Sequence, residues 1–295
     1  MFRRYLLYLI ICLTGAAVFL GGGCLDSRKE QFLRENPFHQ DGKSDSPSIL
    51  IVTCNYVILE MPGFVNIPQQ SFWGNYALPE KRTLPLPAVI SGFTGKQILS
   101  WHKNGLDCAM GSMNDWESFL DSLKSLGGWV ITDQMSLYRH ASDMAELPTY
   151  LLEQPRSVFI ADSEGALRGW TLREGNCFFQ VNCVPTKTSI PVDSVQVKVS
   201  PAFRSVMREV LPADNELGFI RKRPEIIFDQ LTLSGALRNG YFLAIACHPG
   251  YDTSTTLGQV FLRRNLGAEN YQLIFLLVPR VRTAEQMKNE HRQAK

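Results

Sequence analysis

The stretch Ile49-Leu-Ile-Val-Thr-Cys-Asn-Tyr-Val-Ile-Leu59 is rich in β-branched and aromatic residues, which pack well on a pleated surface. It therefore predicts a β-strand, and Met61-Pro62-Gly63 marks its end. Two later runs, Tyr241–Cys247 and Gln272–Val278, have the same character and predict two further strong strands. Strands are thus expected both early and late in the chain.

The segment after the first strand mixes helix and strand signals. Residues 94–104 predict a helix that begins at a threonine cap and ends at Gly105, and 106–110 predict a short strand. Apolar residues then recur at helical spacing: Trp116, Phe119, Leu120, Leu123 and Leu126. Trp129–Tyr138 predicts another strand. This alternation indicates a small α+β module over residues 49–150.

Past residue 150 the helix signals fade. Short runs alternate apolar and polar residues, as half-buried strands do: Ser157–Ala161, Gly165–Leu172, Cys177–Val184 and Val195–Val199. Asp162-Ser-Glu-Gly165 and Arg173-Glu-Gly-Asn176 predict hairpin turns. Glu225–Leu233 predicts one strand, and Val206–Leu211 predicts a helical turn.

These patterns predict the fold class α+β. The small helix and strand module is followed by a β-rich antiparallel module over 151–282 and a charged tail over 283–295. The chain has 295 residues, enough for one large or two small domains. Its formal net charge of +2 gives no argument for nucleic-acid binding.

The N-terminus has the layout of an export signal. Met1-Phe-Arg-Arg4 carries two positive charges, Tyr5–Leu20 is uncharged and apolar, and Gly21-Gly-Gly-Cys24 supplies small residues. Arginines resist crossing the membrane, so this end stays cytoplasmic and the downstream chain is exported. We predict a signal peptide over 1–23 and, because its composition cannot bury apolar surface, a flexible tether over 24–48.

The end of this signal resembles the lipobox of bacterial lipoproteins. In that family, signal peptidase II cuts before the cysteine, whose sulfur carries a diacylglycerol. The resemblance implies a palmitate-type lipid anchor on Cys24 and a membrane-anchored, extracytoplasmic place in the bacterial cell envelope. Gly21 stands where the family usually has leucine. A retained membrane anchor and an ordinary cleaved signal are the two alternative interpretations.

Five of the seven cysteines lie beyond the signal and the lipobox: Cys54, Cys108, Cys177, Cys183 and Cys247. Cys177 and Cys183 are separated by an even number of residues, so one strand places them on one face, too far apart to bridge each other. Cys54, Cys108 and Cys247 lie in apolar strands. We therefore expect mostly free, buried thiols, with at most one or two bridges.

The sequence gives no catalytic pattern. His102 and Asp107 could form an acid–base pair, although His102 lies at the end of a helix where an exposed position is expected. His248 follows Cys247, but neighbouring residues in a strand point to opposite faces. No P-loop, dinucleotide fingerprint, metalloprotease helix or nucleophile elbow occurs, and no closely spaced Cys and His pair repeats. We expect no enzyme activity, no cofactor and no metal.

The last fifth of the chain resembles the C-terminal part of secretins, the channel proteins of secretion and pilus assembly. The matching runs are Leu237-Arg-Asn-Gly-Tyr-Phe-Leu-Ala-Ile-Ala246, Leu257-Gly-Gln-Val-Phe261 and Tyr271-Gln-Leu-Ile-Phe-Leu-Leu-Val-Pro-Arg-Val281. The paired glycines after the first strand and a long membrane-hairpin segment are missing. The resemblance therefore implies a β-module that contacts envelope partners, with no catalytic residues to carry over.

Three functions are compatible with these features. The first is a membrane-tethered lipoprotein that binds or scaffolds envelope proteins, with an exposed sheet edge that could accept a partner strand. The second is a component associated with secretion or pilus assembly, and the third is an envelope hydrolase with an unrecognised site. Trp170, in Arg168-Gly-Trp-Thr-Leu172, is predicted as an exposed binding platform.

Overall fold

The structure is a computed structural model that describes residues 39–40, 48–78, 90–162, 164–186, 193–206, 209–212, 219–222, 225–248, 255–266 and 269–293. Within these ranges no helix combines the length and the apolar character needed to cross a bilayer. The predicted signal peptide and nearly all of the predicted tether lie outside the described residues.

Antiparallel strands dominate the described chain, and a few helices accompany them. The strands are β1 (His39–Gln40), β2 (Ser48–Pro62), β3 (Ile90–Ser91), β4 (Leu106–Ser112), β5 (Trp129–Tyr138), β6 (Ala145–Leu152), β7 (Arg156–Ala161), β8 (Leu167–Leu172), β9 (Gly175–Pro185), β10 (Ser194–Ser205), β11 (Glu209–Pro212), β12 (Phe219–Lys222), β13 (Glu225–Ile227), β14 (Leu233–Arg238), β15 (Tyr241–Cys247), β16 (Arg263–Leu266) and β17 (Glu269–Thr283). The α-helices are α1 (Ser71–Gly74), α2 (Gly95–Lys103), α3 (Trp116–Ser125), α4 (Leu257–Leu262) and α5 (Ala284–Gln293). The predicted class α+β is therefore correct only in coarse form, because the fold is mainly β.

Two sheets form the body of the protein. The seven-stranded sheet has the order β1-β2-β17-β15-β4, with β5 paired to β2 and β16 paired to β17. The six-stranded sheet has the order β3-β14-β10-β9-β6, with β13 paired to β10. Two separate hairpins, β7–β8 and β11–β12, complete the described strands. The long pairing of β2 with β17 joins the beginning and the end of the described body.

Side chains alternate between the two faces of β2, and buried residues occur on both of these faces. One face of β2, with Cys54 and Ile58, belongs to the core shared with the six-stranded sheet. In that core the ring centroids of Phe179 and Phe275 lie 5.4 Å apart. The other face of β2, with Leu59, packs with α3. Each large apolar side chain buried in this way contributes about 1.5–3 kcal/mol.

The structure confirms the helix predicted from Thr94. The Thr94 hydroxyl accepts from Gln97 N and the Gln97 side chain accepts from Thr94 N, a reciprocal capping box at the start of α2. Gly105 ends the helix with φ +76°, a left-handed conformation in which glycine is favoured.

Three local predictions are wrong. Glu225–Leu233 is not one strand: it divides into β13, a 3₁₀ turn over Asp229–Leu231 and the start of β14. Phe228, which precedes the turn, and Leu231, which ends it, are both buried in the core. Strand β11 replaces the C-terminal part of the helical turn predicted over Val206–Leu211. The segment Arg173–Asn176 does not form a hairpin, since β8 pairs with β7 whereas β9 pairs with β6 and β10.

The runs with resemblance to secretins occupy several elements. Gly240, at φ +87°, turns the chain between β14 and β15, which lie in different sheets. The run Leu257–Phe261 lies within α4, and Tyr271–Val281 lies within β17.

Candidate binding surface

Strand β5 is an edge of the seven-stranded sheet. Among the described strands it pairs only with β2, so one side of its backbone faces no described strand. Its apolar side chains are nevertheless largely exposed: Trp129 42%, Val130 44%, Ile131 47%, Met135 65% and Leu137 45%. An edge strand offers unpaired N–H and C=O groups, and natural edges are commonly protected by charged residues. Asp133 is the one charged side chain of β5.

The register of β5 with β2 is irregular. A β-bulge between Ile58 and Leu59 inserts one extra residue into β5. Met135 lies opposite Asn55 and Leu137 opposite Thr53, so the cross-strand neighbours of these two apolar residues are polar. Exposed apolar surface on an edge strand is typical of an interaction site.

Trp170 lies on the small β7–β8 hairpin. Its side chain is 37% exposed, and its ring meets Phe228 edge to face with centroids 5.9 Å apart. It lies opposite the buried Val158, so part of the indole points toward the core. A binding role for Trp170 stays a prediction, as does lipidation of Cys24, which lies outside the described residues.

The fold brings His248 next to His102 and Asp107, which lie about 140 residues earlier in the chain. His102 is in the last turn of α2, Asp107 follows in β4, and His248 comes directly after β15. His102 Nε2 lies 3.2 Å from Asp107 Oδ1, with side-chain exposures of 12% and 7%. The imidazole rings of His102 and His248 have centroids 4.6 Å apart. We call these residues the His–Asp–His cluster.

The sequence suggests a pair of His102 with Asp107 but gives no sign that His248 lies beside them. The pairing of β4 with β15 sets Ala246 opposite Asp107, and two residues on, His248 falls on the same sheet face as Asp107. Cys247 points to the other face and is buried in the core. A pairing register of this kind leaves no local signal in the sequence.

A cavity of about 280 Å³ lies between the end of β6 and the segment α4–β16. Its lining includes Tyr150, Glu153, Arg156, Gln259, Arg263 and Arg264. Within the described chain, the buried Arg263 Nε and Gln259 Nε2 have no hydrogen-bond partner. Buried N–H donors normally have an acceptor, so water or an anionic group in the cavity would accept hydrogen bonds from these two donors.

All five cysteines of the described body are buried and form no disulfide with one another, which agrees with the expectation of mostly buried thiols. Burial raises the pKa of Cys177 to about 12. Burial, and to a smaller extent the negative charge of Asp107, also raises the pKa of Cys108. Because only the thiolate is a strong nucleophile, these thiols are suited to packing and not to catalysis.

No protein-family model matches the chain, and no curated protein matches it. One solved structure with some likeness is the InvG secretin domain β-barrel from the Salmonella SPI-1 injectisome NC-base. The identity is 8%, the match covers 85% of this chain and 70% of that chain, and the TM-score is 0.20. Such a TM-score does not establish a shared fold, so the resemblance to secretins stays a prediction.

Proposed function

We propose that this chain is a membrane-tethered protein of the bacterial cell envelope that binds or scaffolds another protein through β5. The single observation that carries the proposal is the exposed apolar edge formed by that strand. An extended segment of a partner would add to the sheet by main-chain hydrogen bonds, and the exposed side chains would supply apolar contact. Binding by strand addition needs no catalytic group.

The tether follows from the N-terminal pattern. A lipid on Cys24 would hold the chain at a bilayer, because each buried methylene contributes about 0.8 kcal/mol and several acyl chains anchor a protein firmly. The polar residues 25–48 would then separate the anchor from the folded body.

Mass spectrometry of the mature N-terminus tests the tether. We expect a chain that begins at a diacylated Cys24, and we expect Cys24→Ser to leave an unprocessed precursor. An intact Met1, or a mature chain that begins at another residue, would contradict lipid anchoring while leaving the β5 proposal untouched.

Site-specific photo-crosslinking in intact cells tests the β5 edge. A photoreactive phenylalanine analogue at Met135 should give a defined adduct with a partner protein, and Ile131→Lys in the same chain should abolish it. The matched control places the analogue at Phe64, which is 87% exposed but lies outside β5. Equal adducts from both positions, or no effect of Ile131→Lys, would refute binding at the edge.

The identity of the captured partner separates the first two functions. Secretion or pilus proteins in the β5 adduct would support the role that the C-terminal resemblance implies. Other envelope proteins would support a general scaffold. An adduct between two copies of this chain would show that β5 mediates self-assembly and does not bind a different protein. Sedimentation velocity of the purified body distinguishes that last outcome.

A further inference from the structure

We infer that the His–Asp–His cluster binds a divalent transition-metal ion, with Zn²⁺ as the best-matched candidate. This site is separate from β5 and is independent of the proposed binding function. One ligand atom from each of His102, Asp107 and His248 lies within 4.8 Å of the others. The sequence-based expectation of no metal rested on closely spaced pairs, whereas these ligands come from three segments.

The donor set matches the chemistry of zinc. Zn²⁺ prefers imidazole nitrogen and carboxylate oxygen at about 2.0–2.2 Å in tetrahedral geometry, so two ligands of one ion lie roughly 3.3–3.6 Å apart. The His102 Nε2 to Asp107 Oδ1 distance of 3.2 Å is close to this range. Small side-chain rotations would bring a ring nitrogen of His248 within the same distance of the ion. Three protein ligands leave an open coordination position for water or a small anion.

The backbone around the cluster is held in place. His248 N donates to Gly105 O at 2.8 Å, and Gly105 N donates to His102 O at 3.0 Å. These two bonds tie the ends of α2 and β15 to the same glycine. The ligands therefore stand on fixed elements, which lowers the ordering cost of metal binding.

The burial of the Asp107 carboxylate favours binding of a cation at this cluster. Asp107 is 5% exposed, so its charge acts in a medium where attraction to a cation is stronger than in water. The thiol of Cys247 points into the core on the opposite sheet face and is not part of the donor set. Oxygen and nitrogen ligation without sulfur is thus expected.

Calorimetric titration of the chelator-treated mature protein with Zn²⁺ tests the site. We expect one ion per chain and a rise in Tm that EDTA reverses. Binding should be at least about tenfold weaker in His248→Gln, since loss of even an outer-shell partner of a ligand weakens metal binding about 10–100-fold. His140→Gln is the matched control, because His140 is exposed and lies outside the cluster; it should bind Zn²⁺ like the wild type.

Co²⁺ in place of Zn²⁺ supplies a readout that does not depend on variant stability. The wild type should show d–d absorption without a thiolate-to-cobalt charge-transfer band. Absence of one-to-one binding, equal affinity in His248→Gln, or a thiolate band would each overturn the inference. If His248→Gln has lost its native circular dichroism, His102→Gln replaces it, with the same expected and contradicting results.

Discussion

At the scale of single residues, Asn104 shows how one buried amide joins distant segments. Its side chain is fully buried and donates to Ser100 O and to Ala161 O, while its carbonyl oxygen accepts from Ala161 N. These bonds hold the C-terminal turn of α2 against the end of β7. Because each buried polar group must be satisfied, the side chain cannot be replaced by an apolar one without loss.

Asn104→Ala should therefore lower the free energy of unfolding by about 2–4 kcal/mol, since the N–H and C=O of Ala161 lose a partner. Urea denaturation followed by circular dichroism measures the change. Asn114→Ala, at an exposed position, is the control and should stay within about 0.5 kcal/mol of the wild type. A change of similar size in both variants would refute the bridging role.

The buried thiols make a second residue-scale prediction, on pH. The pKa of Cys177 is raised to about 12 in the folded state. In the unfolded chain the pKa of a thiol is about 8.5. The unfolded state thus releases its proton first as pH rises, so stability is full below about pH 8.5 and is lost between there and about pH 12.

Urea unfolding at pH 7, 9 and 10 should show this alkaline loss, by up to about 1.4 kcal/mol per pH unit from Cys177. Cys177→Ala should make the free energy of unfolding less dependent on pH, because the contribution of this thiol is removed. At pH 8 we expect iodoacetamide to modify the buried cysteines only after urea is added. Rapid alkylation of the native protein would contradict their burial.

At the scale of elements, close backbone contact fixes where α4 meets the end of α2. Gly258 N donates to Asn104 O at 2.9 Å. A Cβ at Gly258 would lie 1.8 Å from Gly105 O, too close for any side chain. A side chain at position 258 would therefore require the backbone of α4 or of Gly105 to move.

Gly258→Ala should destabilise the protein by about 1–3 kcal/mol, the usual cost of overpacking, or more if the backbone cannot shift. Gly74→Ala is the control, because a Cβ there meets nothing within 4 Å, and it should be neutral or slightly stabilising in a helix. Differential scanning calorimetry of both variants checks the difference. Equal Tm values would show that the contact is not tight.

At the scale of the whole molecule, the seven-stranded sheet is shared by both predicted modules. Strands β2, β4 and β5 come from 49–150, whereas β15, β16 and β17 come from 151–282. The pairing of β2 with β17 extends from Pro62 opposite Tyr271 to Leu50 opposite Thr283. This edge of β2 has its backbone partner only when the last strand is in place.

We therefore expect one cooperative unfolding transition for the body, with tryptophan fluorescence and circular dichroism changing together. The isolated fragment 48–152 should be unfolded, because it lacks β17. A fragment that unfolds cooperatively by itself would support two independent modules. The division into modules stays a prediction until that measurement.

The sequence by itself determined many local elements. Residue type, capping and periodicity are local properties, and they predict the helix that begins after Thr94, the strands β2, β5, β15 and β17, and the buried cysteines. The short helix α4 and strand β6 were missed. A helix of six residues carries too few turns for a periodic signal, and strand β6 contains Pro148, which argues against a strand interior.

Only the tertiary structure decided which strands pair and therefore what lies on the surface. The edge position of β5 follows from its pairing with β2 alone among the described strands, and the His–Asp–His cluster follows from the β4–β15 register. Hydrogen-bond pairing between distant strands uses backbone groups that are the same in every residue. The sequence therefore carries the strands but not their order, and both candidate sites arise from that order.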